Sequence, residues 1–128
     1  MDNIRQITNY DLADAPTVTK NIEVAGKILN NYPYKVITTD KLKRETFKMG
    51  YCCEPRGIGF PIFLKFQAGG SITDNEQEFE IGKTGMFEFQ PEDYNVTSET
   101  IETASVLCYQ VAVPADIEFT LDYVYSAN

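Results

Sequence analysis

The chain has 128 residues, 43% of them hydrophobic and 12% aromatic, with a net charge of −8. That length suits one domain, and the composition supplies a packed core and excludes a disordered chain. The overall negative charge speaks against nucleic acid, whose phosphates require a cationic face. No apolar run approaches the roughly 18–20 residues that span a bilayer, so no membrane partner is expected.

Residues 1–16 carry turn-formers (Asn9, Asp11, Asp14, Pro16) and little periodicity. They read as an extended arm or a loosely held first strand. Residues 17–30 are ambiguous. Val18, Ile22, Ala25 and Leu29 fall at helical spacing, whereas Gly26 and the β-branched residues oppose a helix. A short helix and an irregular strand both fit.

From Pro33 the pattern is β. Residues 34–39 and 45–53 are rich in aromatic and β-branched side chains, and 58–67 form a nearly continuous apolar run that reads as a buried strand. Pro61 inside that run marks an edge or a bulge. Residues 68–71 (Ala-Gly-Gly-Ser) form a turn. Residues 77–81 and 86–90 read as short strands joined by a Gly82-Lys83-Thr84-Gly85 hairpin. Residues 91–102 are a long polar loop. Two strands follow, 104–113 and 117–125. In the last, Ile117, Phe119, Leu121, Tyr123 and Tyr125 alternate with Glu118, Thr120 and Asp122, so one face belongs in a core and the other in water.

The expected fold class is all-β: a single-domain β-sandwich, jelly-roll-like, or a barrel. The expected organisation is an N-terminal arm over residues 1–20 and a β-domain over 21–128. Charge divides that domain. Residues 20–56 hold eight basic side chains against four acidic, and residues 57–128 hold two against twelve. Such asymmetry suits either head-to-tail contact between like subunits or acidic strand faces that keep the chain soluble.

The chemistry is defined by what is missing. The chain has no histidine, which removes the commonest general base and every Ser-His or Cys-His arrangement. The three cysteines, Cys52, Cys53 and Cys108, have no zinc-site spacing and read as reduced thiols in a protein made in the cytoplasm. Glu78 and Glu80 share a strand face but most simply form its solvated side. Gly82-Lys83-Thr84 lacks the upstream glycine of a phosphate loop, with Gln77 in its place. Asp74-Asn75-Glu76 lacks the ligand spacing of a calcium loop. Asn95-Val96-Thr97 matches a glycosylation acceptor without a secretion signal. No catalytic residue, cofactor or metal is expected, and the chain reads as a non-enzyme.

Two surface features point to binding. Tyr94, beside Glu92, Asp93 and Asn95 in the polar loop, has the mixture that stacks on and hydrogen-bonds a sugar, which makes it a candidate ligand contact. Lys41, Lys43, Arg44 and Lys48 form a basic cluster that, together with residues 1–20, is the candidate assembly contact.

The segment 79–89 (Phe-Glu-Ile-Gly-Lys-Thr-Gly-Met-Phe-Glu-Phe), with 117–125 (Ile-Glu-Phe-Thr-Leu-Asp-Tyr-Val-Tyr), resembles the C-terminal β-domain of small virion-associated proteins of tailed bacteriophages. The shared pattern is a hairpin of the IGxTGxYE type and a terminal FxxDYxY strand. Phe87 stands where that pattern has tyrosine. The resemblance covers residues 72–128 and carries no catalytic residues. It implies a non-enzymatic structural subunit on the exterior of a phage particle, a capsid decoration or auxiliary protein. Its implied partners are virion proteins (major capsid or tail protein) and further copies of itself in a homo-oligomer, and its implied place is the virion. The alternative is a carbohydrate- or receptor-binding module of a tail or fibre, with a host surface glycan as partner. An intracellular regulator that binds another protein is the third reading.

Overall fold

The computed structural model describes residues 3–69, 71–72, 76–94 and 96–127. Gly70 of the expected turn, Asp74 and Asn75 of the rejected calcium loop, and Asn95 of the polar loop lie outside the described residues.

Among the described residues ten strands form two antiparallel sheets. They are β1 (Asn3–Ile7), β2 (Thr17–Val24), β3 (Lys27–Thr38), β4 (Lys48–Cys53), β5 (Pro61–Ala68), β6 (Ser71–Ile72), β7 (Gln77–Glu80), β8 (Thr84–Glu88), β9 (Leu107–Pro114) and β10 (Phe119–Tyr125). One sheet has the order β1-β10-β4-β8. The other runs β2-β3-β9-β5-β6, with β7 on β5 as well. Taking β6 and β7 as one interrupted strand and β2 as an extra edge, the order is a jelly roll, in which the chain repeatedly passes from sheet to sheet. The all-β sandwich expected from the sequence is what forms.

The core lies between the sheets. From the four-stranded sheet come Ile7, Met49, Cys53, Phe87, Phe119, Leu121 and Tyr123; from the other come Ile37, Ile62, Leu64, Phe66, Tyr109, Val111 and Val113. The alternation read in residues 117–123 is realised, with Ile117, Phe119, Leu121 and Tyr123 all buried. Tyr51 lies flat between Phe87 and Phe119, with ring centroids 5.0 and 6.0 Å away. It faces Gly85 across the β4–β8 pair, where any Cβ would sit 2.7 Å from its ring. Pro61 is the first residue of β5, the one position in a central strand where a missing N–H does little harm.

Met1 and Asp2 lie outside the described residues, and residues 3–20 are no free arm: the alternative reading, a first strand, is what forms. The described part begins with β1, which pairs with β10 along its whole length, from Asn3↔Tyr125 to Ile7↔Leu121. A single helical turn follows, α1 (Asn9–Leu12), held where the Thr8 N–H donates to the Asp11 carboxylate at 2.9 Å. The Asn9 side chain then extends the ladder past the end of β1. Its amide donates to the Ile117 carbonyl (3.0 Å) and accepts from the Phe119 N–H (2.8 Å). Ile7 and Leu12 are buried, so this segment belongs to the core rather than to solvent.

The ambiguous residues 17–30 form the β2–β3 hairpin. Its turn is Ala25-Gly26, both at positive φ (51° and 80°), which is the backbone of a type I′ turn. Gly26, which seemed only to break a helix, makes that turn possible.

The expected Gly82–Gly85 hairpin does not form. β7 pairs with β5 in one sheet and β8 with β4 in the other, so residues 81–83 are a crossing between sheets. Ile81 is fully buried at this crossing, where its N–H donates to the Phe60 carbonyl. Two short strands flanking glycines look alike whether the chain folds back or changes layer.

Residues 91–102 are not an open loop either. The described residues here form a 3₁₀ turn (Pro91–Tyr94) and most of a short helix, α2 (Ser98–Thr103), capped by Thr97, whose hydroxyl accepts from the Thr100 N–H at 3.1 Å. Tyr94 and Ile101 point inward and stop one end of the sandwich.

Candidate functional site

Tyr94 is only 1% exposed, so it offers no face to a ligand. Its ring packs against Phe89, Phe66 and Tyr109 at centroid distances of 5.2, 5.6 and 5.9 Å. Burial pushes its hydroxyl up to about 12, although the hydrogen bond with Tyr109 pulls the other way; burial also raises Tyr109 far above the ordinary range. The candidate ligand contact is therefore a core residue. Polar neighbours at 92–95 disguised it, because one aromatic in a polar run reads as surface.

The basic cluster does lie on the surface, on the connection between β3 and β4. Leu42 anchors this segment: it is buried, bridges to Tyr125, and its N–H donates to the Leu107 carbonyl at 2.6 Å. Lys41 is exposed. Arg44 is turned to internal use, since its guanidinium donates to the Ala104 carbonyl and ties the segment to the end of α2. Lys48 pairs with Glu88 at 3.5 Å, both well exposed, an arrangement worth a few tenths of a kcal/mol at most. Lys43 and Lys48 flank a depression of about 400 Å³ with Phe47 and Val124 in it. Lys41, Arg44 and Lys48 are thus exposed and Lys43 is half-buried, with Arg44 also acting as a strut.

The charge asymmetry of the sequence is not kept in space. β4, from the basic half, lies between β10 and β8 from the acidic half, and β3 lies beside β9. Basic and acidic residues meet in pairs: Lys48 with Glu88, and Lys20 with Glu76 at 3.0 Å. A jelly roll interleaves early and late strands, so a sequence polarity becomes a mixed surface. Head-to-tail attraction between a basic and an acidic half loses its geometric basis.

Two faces remain. The outer face of the four-stranded sheet carries the cross-strand rows Gln6, Asp122, Gly50, Met86 and Thr120, Cys52, Thr84, with Ile4 opposite Val124. Its centre is flat because Gly50 and Cys52 are small. Ile4 and Met86 stand out of it, 68% and 58% exposed. This face runs into the Phe47–Val124 depression and its lysines.

The other sheet curls into a half-barrel. Its outer face bears a second apolar cluster of Ile22, Tyr34 and Ala112, with Val36, Tyr32, Phe60 and Phe63 against it. Tyr34 is wholly buried there, donates to the Pro61 carbonyl at 2.7 Å, and has its hydroxyl raised far above the ordinary range chiefly by burial. Lys20 on β2 reaches across to both oxygens of Glu76 (3.0 and 3.1 Å) with its ammonium 4.6 Å above the Phe63 ring. Below α1 this curl encloses a groove of about 810 Å³. Sequence reading missed it because its walls come from β2, β3, β5, β9 and the α1 segment. No single stretch announces it.

Among the described residues no cluster of three or more histidine, cysteine or acidic side chains could hold a metal ion. The cysteines are free thiols, with Cys52 exposed and Cys53 and Cys108 buried. No family model, curated protein or solved structure matches the chain.

Proposed function

We propose that this chain is a non-enzymatic structural subunit that sits on the outside of a larger particle, the resemblance in residues 79–89 and 117–125 pointing to the virion of a tailed phage as a decoration or auxiliary protein. The observation that carries the reading is the outer face of the β1-β10-β4-β8 sheet. It is flat and small at its centre, Ile4 and Met86 stand exposed on it, and Lys43 and Lys48 lie at its margin. Ile4 on β1 and Met86 on β8 stand on opposite edges of the sheet with Asp122, Thr120, Gly50 and Cys52 between them, so the face offers two separate apolar anchors across a small, polar centre to a protein contact. The occupant is the particle's own protein shell, meeting Ile4 and Met86 with apolar side chains and the lysine margin with carboxylates. Jelly rolls serve in capsids and in lectins alike, so the fold agrees with the reading only by analogy.

The test is to tag the chain, prepare particles from the host carrying its gene, and ask whether the chain co-purifies and is labelled on intact particles. The expected result is surface labelling, reduced at least tenfold by Met86→Asp and less by Lys48→Glu. Absence from every particle fraction overturns the proposal. Light scattering after size-exclusion chromatography, at low and high salt, reads the homo-oligomer separately: a trimer or larger ring supports self-assembly, whereas a salt-indifferent monomer leaves docking onto the shell alone.

A further inference from the structure

We infer that the groove of the half-barrel is a binding site for a neutral saccharide, with Tyr10 as its stacking platform. This goes beyond the assembly reading and uses the opposite face of the sandwich. At about 810 Å³ the groove falls within the size range of small-molecule sites.

The lining is balanced in charge, with Arg5, Lys20 and Lys65 against Asp11, Asp14 and Glu76. A strongly anionic ligand meets three carboxylates and a cationic one meets three cations, so neither is drawn in by a net field. A ring of hydroxyl groups suits such a wall, because each hydroxyl both donates and accepts and can bridge neighbouring opposite charges.

The groove is also held ready. Lys20 is fixed by two bonds to Glu76 and rests over Phe63, and Arg5 is held between Asp11 (3.4 Å) and Asp40 (3.3 Å). Groups fixed before the ligand arrives lower the ordering cost of binding. The floor supplies apolar surface from Val18 and Val36 for the C–H face of a sugar, with Thr38 and Gln110 offering polar contacts beside it.

Tyr10 completes the site. It lines the groove yet is 87% exposed, on α1, a turn that the core holds by Leu12 and by the Asn9 bridge to β10. A large aromatic face kept in water on a rigid support is what sugar stacking requires.

The test is an array of immobilised neutral oligosaccharides of glucose, galactose, mannose and N-acetylglucosamine, with sialylated and sulfated glycans as anionic controls. Hits are titrated into ¹⁵N-labelled chain and followed by NMR. The expected result is retention of a neutral glycan, no gain from anionic groups, and amide shifts centred on Thr38 and Gln110. Tyr10→Ala weakens binding about tenfold, the order expected for losing one aromatic stacking contact, with an unchanged Tm. Retention of no neutral glycan overturns the inference, as does binding that survives both Tyr10→Ala and Gln110→Ala. Met86→Asp leaves glycan binding intact and Tyr10→Ala leaves particle association intact, so the two proposals fail separately.

Discussion

Replacing Tyr94 by alanine separates a core role from a surface role. The ring is buried and touches Phe66, Phe89 and Tyr109, and α2 packs over the same end of the sandwich. Removing a buried aromatic ring costs about 3–5 kcal/mol, and the hydrogen bond with Tyr109 is lost with it. For a domain of this size each kcal/mol moves Tm by about 3–4 °C, so the expected fall is about 10–20 °C. Tyr94→Phe keeps the ring and removes only the hydrogen bond, an expected loss of about 1 kcal/mol. Urea unfolding followed by far-UV circular dichroism reads both, and tyrosine fluorescence is undisturbed because the chain has no tryptophan. If Tyr94→Ala unfolds within about 0.5 kcal/mol of the parent, the range of ordinary surface substitutions, the ring is not packed and this end of the sandwich is wrongly described.

The tyrosines also set an alkaline limit. Burial raises Tyr94 and Tyr123 from 10.0 to about 12. Below pH 10 both states are protonated and the protection is intact; above it the unfolded chain gains by ionising, so stability falls from about pH 10 to pH 12. Spectrophotometric titration is expected to show these tyrosines ionising only as the fold is lost, and normal titration at pH 10 in the folded protein would contradict their burial. Cys52 is expected to react quickly with a thiol reagent while Cys53 and Cys108, buried and with raised pKa values, react only on unfolding; three fast thiols would refute that division. Ala25→Asn is expected to raise stability by about 0.5–1 kcal/mol in denaturant unfolding, because asparagine tolerates the positive φ at which alanine is strained. Deleting residues 1–20 removes β1, Ile7 and Leu12 and exposes the edge of β10, so an insoluble or unfolded product is expected; a soluble fragment with native circular dichroism would restore the arm.

What was legible follows from period and chemistry. Alternation in residues 117–125 is a local property of one strand with one wet face, and the structure has it. The long apolar run at 58–67 is likewise local, because β5 is central, with Ile62, Leu64 and Phe66 in the core and Phe63 against the apolar cluster of the outer face. Pairing is not local. Nothing in Gly82-Lys83-Thr84-Gly85 states whether the next strand returns to the same sheet, and here it leaves. The N-terminal strand was legible only as the alternative to an arm, because Asn3–Ile7 is an edge strand whose only buried residue is Ile7, too little apolar content to show a period. Tyr94 and Ile101 were missed because single large side chains seal the end of a sandwich without forming a pattern. The basic cluster was legible as a cluster, since its residues are close in sequence, but the internal use of Arg44 depends on Ala104, sixty residues away.

The division of the molecule into two faces has a consequence for how it works. In a sandwich the two outer faces point in opposite directions, so a subunit seated through Ile4 and Met86 turns the half-barrel away from its support. The residues of the groove and those of the flat sheet share no strand except β1, which gives Arg5 to one and Ile4 to the other. Successive residues of a strand point to opposite faces, so even that strand divides its work cleanly. The same topology that mixes the two charge halves therefore keeps the two surfaces apart. Changes on one are expected to leave the other intact, because additivity holds for sites that share no contacts.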